Sequence, residues 1–264
     1  MIVFRDLIKA LGELGIAPDN PVIAHASLSS FGHVQGGAQT VVDALLYRYD
    51  SLVMPGFTYK TMLVPEVGPP GNGITYGRSN LMVEFYHPEM PVDRLIGVIP
   101  EALRQHPKAG RSSHPILSFV GVNAWKILGS QTIAEPLAPI GALEQANGWL
   151  LLFGVGHTTN TSLHYAERLA GRKQFLRWSL APEGVLECPR FPGCSYGFEP
   201  IAVRLAEVTR WAHAGQAQIQ AVPLAALIRI AREWIEADPS ALLCLQEDCE
   251  RCRAVRDDLS LQAK

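Results

Sequence analysis

The chain has 264 residues, enough to bury a full core as one large domain or as one domain with an inserted lobe. Hydrophobic residues make up 48% and charged residues 18%, the balance of a compact enzyme-sized protein. A formal net charge of −2 carries no mark of a nucleic-acid binder, and any acidic site for a cationic ligand must be local. The opening MIVFRDLIKALGELGI lacks a basic leader and a cleavage site, and no apolar run reaches bilayer length. The sequence therefore predicts a soluble, cytoplasmic protein with neither a nucleic-acid nor a membrane partner.

Residues 4–15 read as an amphipathic helix ended by Gly15, and Pro18 to Pro21 form a turn. PVIAHASL is a short buried strand running into the polar loop SLSSFGHVQGG. After Gly36 and Gly37, AQTVVDALLYRY is helical, with Val41, Val42, Leu45 and Leu46 at helical spacing. SLVMPGFTY is the next strand, closed by Pro55 and Gly56. Residues 63–93 crowd prolines and glycines without a period, and a loop this long in a compact domain is expected to be a functional lid. The helix IGVIPEALRQHP precedes the loop and strand of GRSSHPILSFVGV, and residues 123–148 hold a helix-and-turn region. GWLLLFG is a buried strand and SLHYAERLAG a helix ended by Gly171. GVGHTTNT between them is thus a strand-to-helix loop, where open α/β sheets collect ligands. RKQFLRWSLAPEGVLECPRF predicts a hairpin, 199–214 and 223–237 predict helices, and the end of the chain reads as a charged, frayed tail. Strands alternating with helices predict an α/β fold.

Four constellations carry chemistry. His164 and Glu167 are three apart on a helix and share a face. A carboxylate bonded to one imidazole nitrogen fixes the tautomer and makes the other nitrogen a better base. Spacing alone favours a surface pair; the position after a glycine-rich loop shifts the reading toward the base. HASLSSFGHVQGG, residues 25–37, sits between a strand and a helix, and its small residues let backbone N–H groups face an anion such as a phosphate-bearing cofactor. It matches neither common nucleotide motif, and a plain glycine-rich turn stands beside that reading. GRSSHP, residues 110–115, offers Arg111 and two serines to a phosphate, or is a solvated connection. The fourth is ECPRFPGC with CERC: Cys188, Cys194, Cys249 and Cys252 can supply four thiolates to a structural zinc, with Cys244 as a substitute, or are separate buried thiols. A zinc here would clip the tail to the hairpin, making 183–264 a C-terminal subdomain remote from the chemistry.

Taken in order, HASLSSFGHVQGG with TVVDALL, then LVMPGFT, IPEALRQHPKAGRSSHP and LLLFGVGHTTNTSLHYAE resemble the antibiotic N-acetyltransferase family, the aminoglycoside 3-N-acetyltransferases. The likeness covers about residues 20–170 and is weaker beyond; the combination is specific although no single piece is. It implies one domain over 1–264 with a three-layer α/β/α fold, in which the 63–93 excursion forms part of the acceptor site. It also implies acetyl-CoA as donor, the 3-amino group of an aminoglycoside as acceptor, and hence antibiotic resistance. The resemblance makes His164 the general base, Glu167 its companion and Thr161 a neighbour of the thioester. Ser27, Leu28, Ser29, Phe31, Gly36 and Gly37 match the coenzyme A pocket, with Ser112, Ser113 and His114 at its other wall. For the acceptor the candidates are Tyr59, Glu84 and Glu167, with Glu89, Asp93, Glu183 and Glu187 as further local carboxylates. Two departures stand out: Thr158 and Thr159 occupy a place where several relatives are acidic, and the excursion matches no close member. An acyltransferase of the same fold acting on another amine, or a thioester hydrolase, are the alternatives. For the hydrolase, GxSxG is absent and Ser162 is poorly placed as a nucleophile. A module that merely binds coenzyme A would leave the His–Glu pair without purpose.

Overall fold

The apolar runs VIAHA, LVMP, FVGV and WLLLF are too short for helices and almost wholly buried, which is the pattern of strands covered on both faces. The computed structural model, which describes residues 1–262, places them in one sheet. In chain order the elements are α1 (Phe4–Glu13), β1 (Val22–Ala26), α2 (Gly37–Arg48), β2 (Leu52–Pro55), β3 (Met62–Leu63), α3 (Val98–Arg104), β4 (Ala109–Arg111), β5 (Phe119–Val122), α4 (Trp125–Leu128) and α5 (Ala138–Gln145). There follow β6 (Trp149–Phe153), α6 (Ser162–Leu169), β7 (Phe175–Ala181), β8 (Gly184–Phe191), α7 (Ile201–Leu205), β9 (Arg210–Ala214), β10 (Ala217–Pro223), α8 (Leu224–Ala237) and α9 (Glu250–Gln262).

The seven-stranded sheet runs β4-β5-β2-β1-β6-β10-β9. β1 is parallel to both β2 and β6, with Ala24 opposite Leu151, while the outer strands join antiparallel. Alternation along each strand then assigns the two layers. Ile23, Leu150, Leu152 and Val222 pack with Ile140, Leu163, Leu227 and Ile228 of α5, α6 and α8. Val22, Ala24, Leu151 and Phe153 pack with Leu7, Val41, Leu45 and Ile99 of α1, α2 and α3. The fold is α/β in three layers. A smaller sheet, β3-β7-β8, stands apart.

Residues 63–93 contain no helix and, beyond Leu63, no strand, but they are fastened. Asn72 brackets the backbone of Leu176 from both sides, at 2.8 and 3.0 Å, and the Tyr86 N–H reaches the Leu180 carbonyl at 2.8 Å. The excursion therefore runs along the β7–β8 hairpin.

Two sequence expectations need correction. Residues 199–214 are not one helix: α7 ends at Leu205, and RWAHA is β9, which turns at Gly215 (φ 61°) into β10. Its alanines favour a helix, but Ala212 and Ala214 alternate into the core opposite Ile219 and Ala217, and sheet pairing overrides propensity. Nor is the end of the chain frayed through residue 262. α9 buries Cys252, Ala254 and Val255, so packing holds a helix that charge alone would not predict.

Candidate active site

β6 is a central strand, and its carboxyl end delivers the loop that carries the site. Gly154 leaves the strand with φ 59°, and a side chain there would collide with Ser30. The polar run that follows largely holds itself in place. Asn160 accepts the Ser162 N–H at 3.0 Å and meets the buried His157 ring at 3.2 Å, which sets the entry into α6.

On α6, one turn brings His164 Nδ1 to 2.7 Å from Glu167 Oε2. Both are buried, at 8% and 1% exposure. The other Glu167 oxygen accepts from Arg172 Nη1 at 2.7 Å, and Arg172 Nη2 also donates to the Pro239 and Ala241 carbonyls. Burial pushes the Glu167 carboxyl up, but the hydrogen bond from His164 and the charges of His164 and Arg172 outweigh it. The carboxyl is held below its ordinary range and is ionised. With Nδ1 committed, Nε2 is the imidazole nitrogen left for the cleft, and the ring rests 4.7 Å from that of Phe198.

His164 opens on a cleft of about 1280 Å³, room for a long ligand and a second molecule. Its lining includes Ser27, Leu28 and Ser29 after β1 and residues 95–98, which lead into α3. Tyr59, Met62, Ile74, Arg177, the loop 191–196 and Arg251 also line it. Thr158, Thr159, Asn160, Thr161 and His164, from the loop after β6 and the start of α6, complete the lining described here.

The family model of the aminoglycoside 3-N-acetyltransferases matches residues 23–236. The chain belongs to that family. Aminoglycoside N(3)-acetyltransferase VIII of Streptomyces fradiae is 34% identical over 175 residues, 62% of this chain and 60% of that protein. The match thus spans less than two thirds of the relative's length. Among solved structures, aminoglycoside acetyltransferase AAC(3)-IVa superposes with a TM-score of 0.80 at 24% identity, covering 97% of both chains. AAC-IIIb, solved with coenzyme A, superposes at 0.71 and 23% identity, covering 89% of this chain and 96% of that one. AAC(3)-IVa has also been solved with a gentamicin and with apramycin.

The aminoglycoside-acetyltransferase fold gathers some of the residues that the sequence singled out and not others. Thr161, Ser27, Leu28, Ser29 and Tyr59 line the cleft with His164, while Glu167 lies behind it with both oxygens engaged. Phe31 is a core residue with its ring 6.0 Å from that of Phe153, and Gly36 and Gly37 turn the chain into α2 outside the cleft. Ser112, Ser113 and His114 also lie outside it. Ser112 Oγ accepts the Phe119 N–H at 2.7 Å, and His114 Nδ1 accepts the N–H groups of Ile116 and Leu117. Arg111 donates to Ser118 and to the Pro88 and Gly56 carbonyls, so RSSHP is a structural clamp. Glu84 pairs with Lys60 on the surface, Asp93 caps the Leu95 N–H, and Glu89, Glu183 and Glu187 are exposed.

The metal-ligand set changes by one residue. Cys194, Cys244, Cys249 and Cys252 bring their sulfurs within 4.8 Å of one another. Cys188 instead lies fully buried among Phe175 and Phe191, because strand alternation turns it into the apolar core. The cluster is also not remote, since Cys194 itself lines the cleft. Three features had no signal in the sequence: the wall at residues 94–98, Arg177 on β7, and Arg251 between the two cysteines of CERC. Each reaches the cleft through tertiary packing, which no local spacing encodes.

Proposed function

We propose that the chain transfers an acetyl group from acetyl-CoA to an amine, with His164 as the general base and Glu167 as the group that holds it. The observation that carries this reading is the buried 2.7 Å His164–Glu167 pair at the floor of a cleft large enough for both substrates. In the reaction the amine nitrogen bonds to the acetyl carbonyl carbon while His164 Nε2 takes its proton. The Thr161 hydroxyl and neighbouring backbone N–H groups face the developing oxyanion. The carbon–sulfur bond then breaks, and the proton held by His164 passes to the leaving thiolate, giving N-acetylated product and coenzyme A. Support for the donor comes from the relative solved with coenzyme A, and Ser27 to Ser29 are the residues proposed to receive it.

The names of the relatives carry the 3-amino group of an aminoglycoside to this chain as the first acceptor, which would make it a resistance enzyme. One observation favours a second reading, another amine: among the described residues no aspartate or glutamate lines the cleft. Thiol release from acetyl-CoA, measured with apramycin, gentamicin and neomycin, tests the first. Release that requires a drug supports it; release without any amine would indicate a hydrolase. The compartment is proposed to be the cytoplasm, with which five free cysteines agree. Among the described residues no helix is long and apolar enough to cross a membrane.

We also assign Cys194, Cys244, Cys249 and Cys252 to one structural zinc, as their number and closeness suit a tetrahedral thiolate site. Backbone N–H groups support two of the sulfurs: Tyr196 N–H donates to Cys194 Sγ and Cys244 N–H to Cys252 Sγ, each at 3.4 Å. Atomic absorption of protein prepared without added metal should give about one zinc per chain, and Cys252→Ser should lose it together with thermal stability. Zinc-free protein with unchanged melting in Cys252→Ser would remove the assignment.

A further inference from the structure

His25 is a buried polar side chain of the cleft that the acetyl transfer set out above leaves unused. It stands near the carboxyl end of β1, opposite Leu152 of β6, and alternation puts it on the α6 face with Ile23. The Ser27 N–H donates to the Phe153 carbonyl at 3.1 Å, so the chain after His25 runs beside the loop that carries Asn160 and Thr161. The ring is 7% exposed and lines the cleft together with Thr161 and His164. Its Nε2 is enclosed without a hydrogen-bond partner among the described residues, which leaves Nδ1 as the nitrogen toward the cleft.

A second histidine bears on the first. His157, in the loop after β6, is wholly buried and close enough for its charge to act on His25. Its own tautomer follows from its neighbours. Asn160 Oδ1 accepts the Ser162 N–H at 3.0 Å, so the Asn160 atom 3.2 Å from His157 Nδ1 is the amide nitrogen, a donor. His157 Nδ1 therefore accepts, and Nε2 carries the proton. That Nε2 is likewise buried without a partner among the described residues. Enclosed polar atoms are costly unless paired, and a donor on His157 is the complement of an acceptor on His25. With Nε2 as the acceptor, the proton of neutral His25 sits on Nδ1, at the cleft. Burial, with a smaller push from His157, keeps the ring neutral by lowering its pKa to about 3. A neutral imidazole N–H can polarise a carbonyl without surrendering its proton.

We propose that His25 is a second catalytic histidine, whose Nδ1–H donates to the carbonyl oxygen of the bound acetyl group, and that His157 is the positioning residue that fixes its tautomer, directly or across one water. This rests on the acetyl-transfer reading and deepens it. His25 lies two residues before Ser27, the first residue proposed to receive the donor, and shares the lining with Thr161 and His164. The amine proton still goes to His164. The His25 proton stays on its ring and meets the negative charge that develops on the oxygen, beside the Thr161 hydroxyl.

Two substitutions separate the ring nitrogens. Asparagine can place its amide nitrogen where Nδ1 stood, while glutamine reaches toward the Nε2 position and leaves the cleft side bare. His25→Gln should lower kcat by about 10²–10³, as loss of one oxyanion donor does, and His25→Asn should recover most of that loss. The KM for acetyl-CoA should move far less than kcat. Coenzyme A itself, which lacks the acetyl carbonyl, should bind both variants as it binds the wild type and so report an intact fold. Infrared difference spectra with carbonyl-labelled acetyl-CoA and no amine should put the thioester carbonyl stretch lower in the wild type and His25→Asn than in His25→Gln. Heteronuclear NMR of the wild-type imidazoles should find His25 protonated at Nδ1 and His157 at Nε2, a readout that needs no variant to fold. A proton on His25 Nε2, or one stretch common to all three proteins, would overturn the contact. So would a loss in His25→Gln that falls on acetyl-CoA affinity and spares kcat, the result expected if His25 met an amide of the donor's arm instead. Absence of acetyl transfer by the wild type to any amine would strike the transferase reading itself and the contact with it, whereas normal transfer by His25→Gln strikes the contact alone.

Discussion

His164→Ala should lower turnover by about 10²–10⁴ while coenzyme A binds as before. The separation follows from geometry. The imidazole is committed through Nδ1 to Glu167, so on the proposed reading its remaining nitrogen takes the proton, whereas Ser27 to Ser29, proposed to receive coenzyme A, come from the loop after β1. Glu167→Gln is the informative companion. It keeps the size of the side chain but removes a buried negative charge that Arg172 and His164 both use, and it leaves the Arg172 guanidinium, 8% exposed, without its ionic partner. That variant should therefore lose stability as well as rate, while His164→Ala should lose mainly rate. Single-turnover acetyl transfer at saturating donor, with coenzyme A affinity measured separately, checks both. Near-normal turnover in His164→Ala would remove the histidine from the mechanism.

The parts of the molecule legible in the sequence are those written in local pattern. WLLLF, the glycines after it and the three-residue offset of His164 from Glu167 all lie within one short stretch, so strand, loop and the His164–Glu167 pair could be read together. The hairpin β9–β10 was not legible because RWAHA and AQIQAV are rich in residues that tolerate either state, and only their pairing with each other and with β6 decides it. Cys188 illustrates a different limit. Count and spacing admit it to a thiolate set as readily as Cys244, and only strand alternation, which turns it into the core beside Phe191, excludes it. Arg177 and Arg251 were not legible at all. They come from β7 and α9, 74 residues apart in sequence (251 less 177), and meet because the cysteine cluster seats α9 against the loop after β8.

That meeting point changes how the cysteine cluster bears on function. Arg251 lies between Cys249 and Cys252, and its acceptor Gly193 precedes Cys194, so one set of four sulfurs fixes both ends of the Arg251–Gly193 bond. On the zinc reading proposed above, the cluster supports this wall of the cleft from behind, as the residues supporting a ligand site commonly do. Variation at the cluster is therefore expected to alter what this wall admits, while the His164–Glu167 pair on α6 keeps its geometry.

Acidification from pH 7 to pH 5 should remove about 4 kcal/mol of folding stability through two buried histidines. Burial, with a smaller push from His157, lowers the His25 pKa from its ordinary 6.5 to about 3; burial lowers that of His114 to about 4. Both are therefore neutral in the folded protein, and both take up a proton when the chain unfolds below pH 6.5. The folded state is thus penalised as pH falls from 6.5 toward each folded value, at about 1.4 kcal/mol per unit and per histidine, and the loss levels off only below about pH 3. Glu167 acts in the same direction but lower down: its depressed pKa stabilises the fold above the ordinary carboxylate range, and that contribution is lost as pH falls through the folded value. For His114 the structure gives a direct reason. Its Nδ1 accepts two backbone N–H groups, at 3.1 and 3.0 Å, and a protonated ring would have to surrender both. His114→Asn offers an acceptor of similar reach that does not titrate, so urea unfolding at pH 7 and pH 5 should show a loss smaller than the wild-type one by about 2 kcal/mol; His157, also lowered by burial, adds to the loss in both proteins. Wild-type stability that is flat over this interval would show that both of these rings are already protonated in the fold, and the turn formed by RSSHP would then have to be held by something other than the His114 ring. Against a typical domain stability of about 5–15 kcal/mol, a loss of this size leaves a margin of roughly 1–11 kcal/mol, so a pH profile of activity has to be read beside unfolding curves at the same pH.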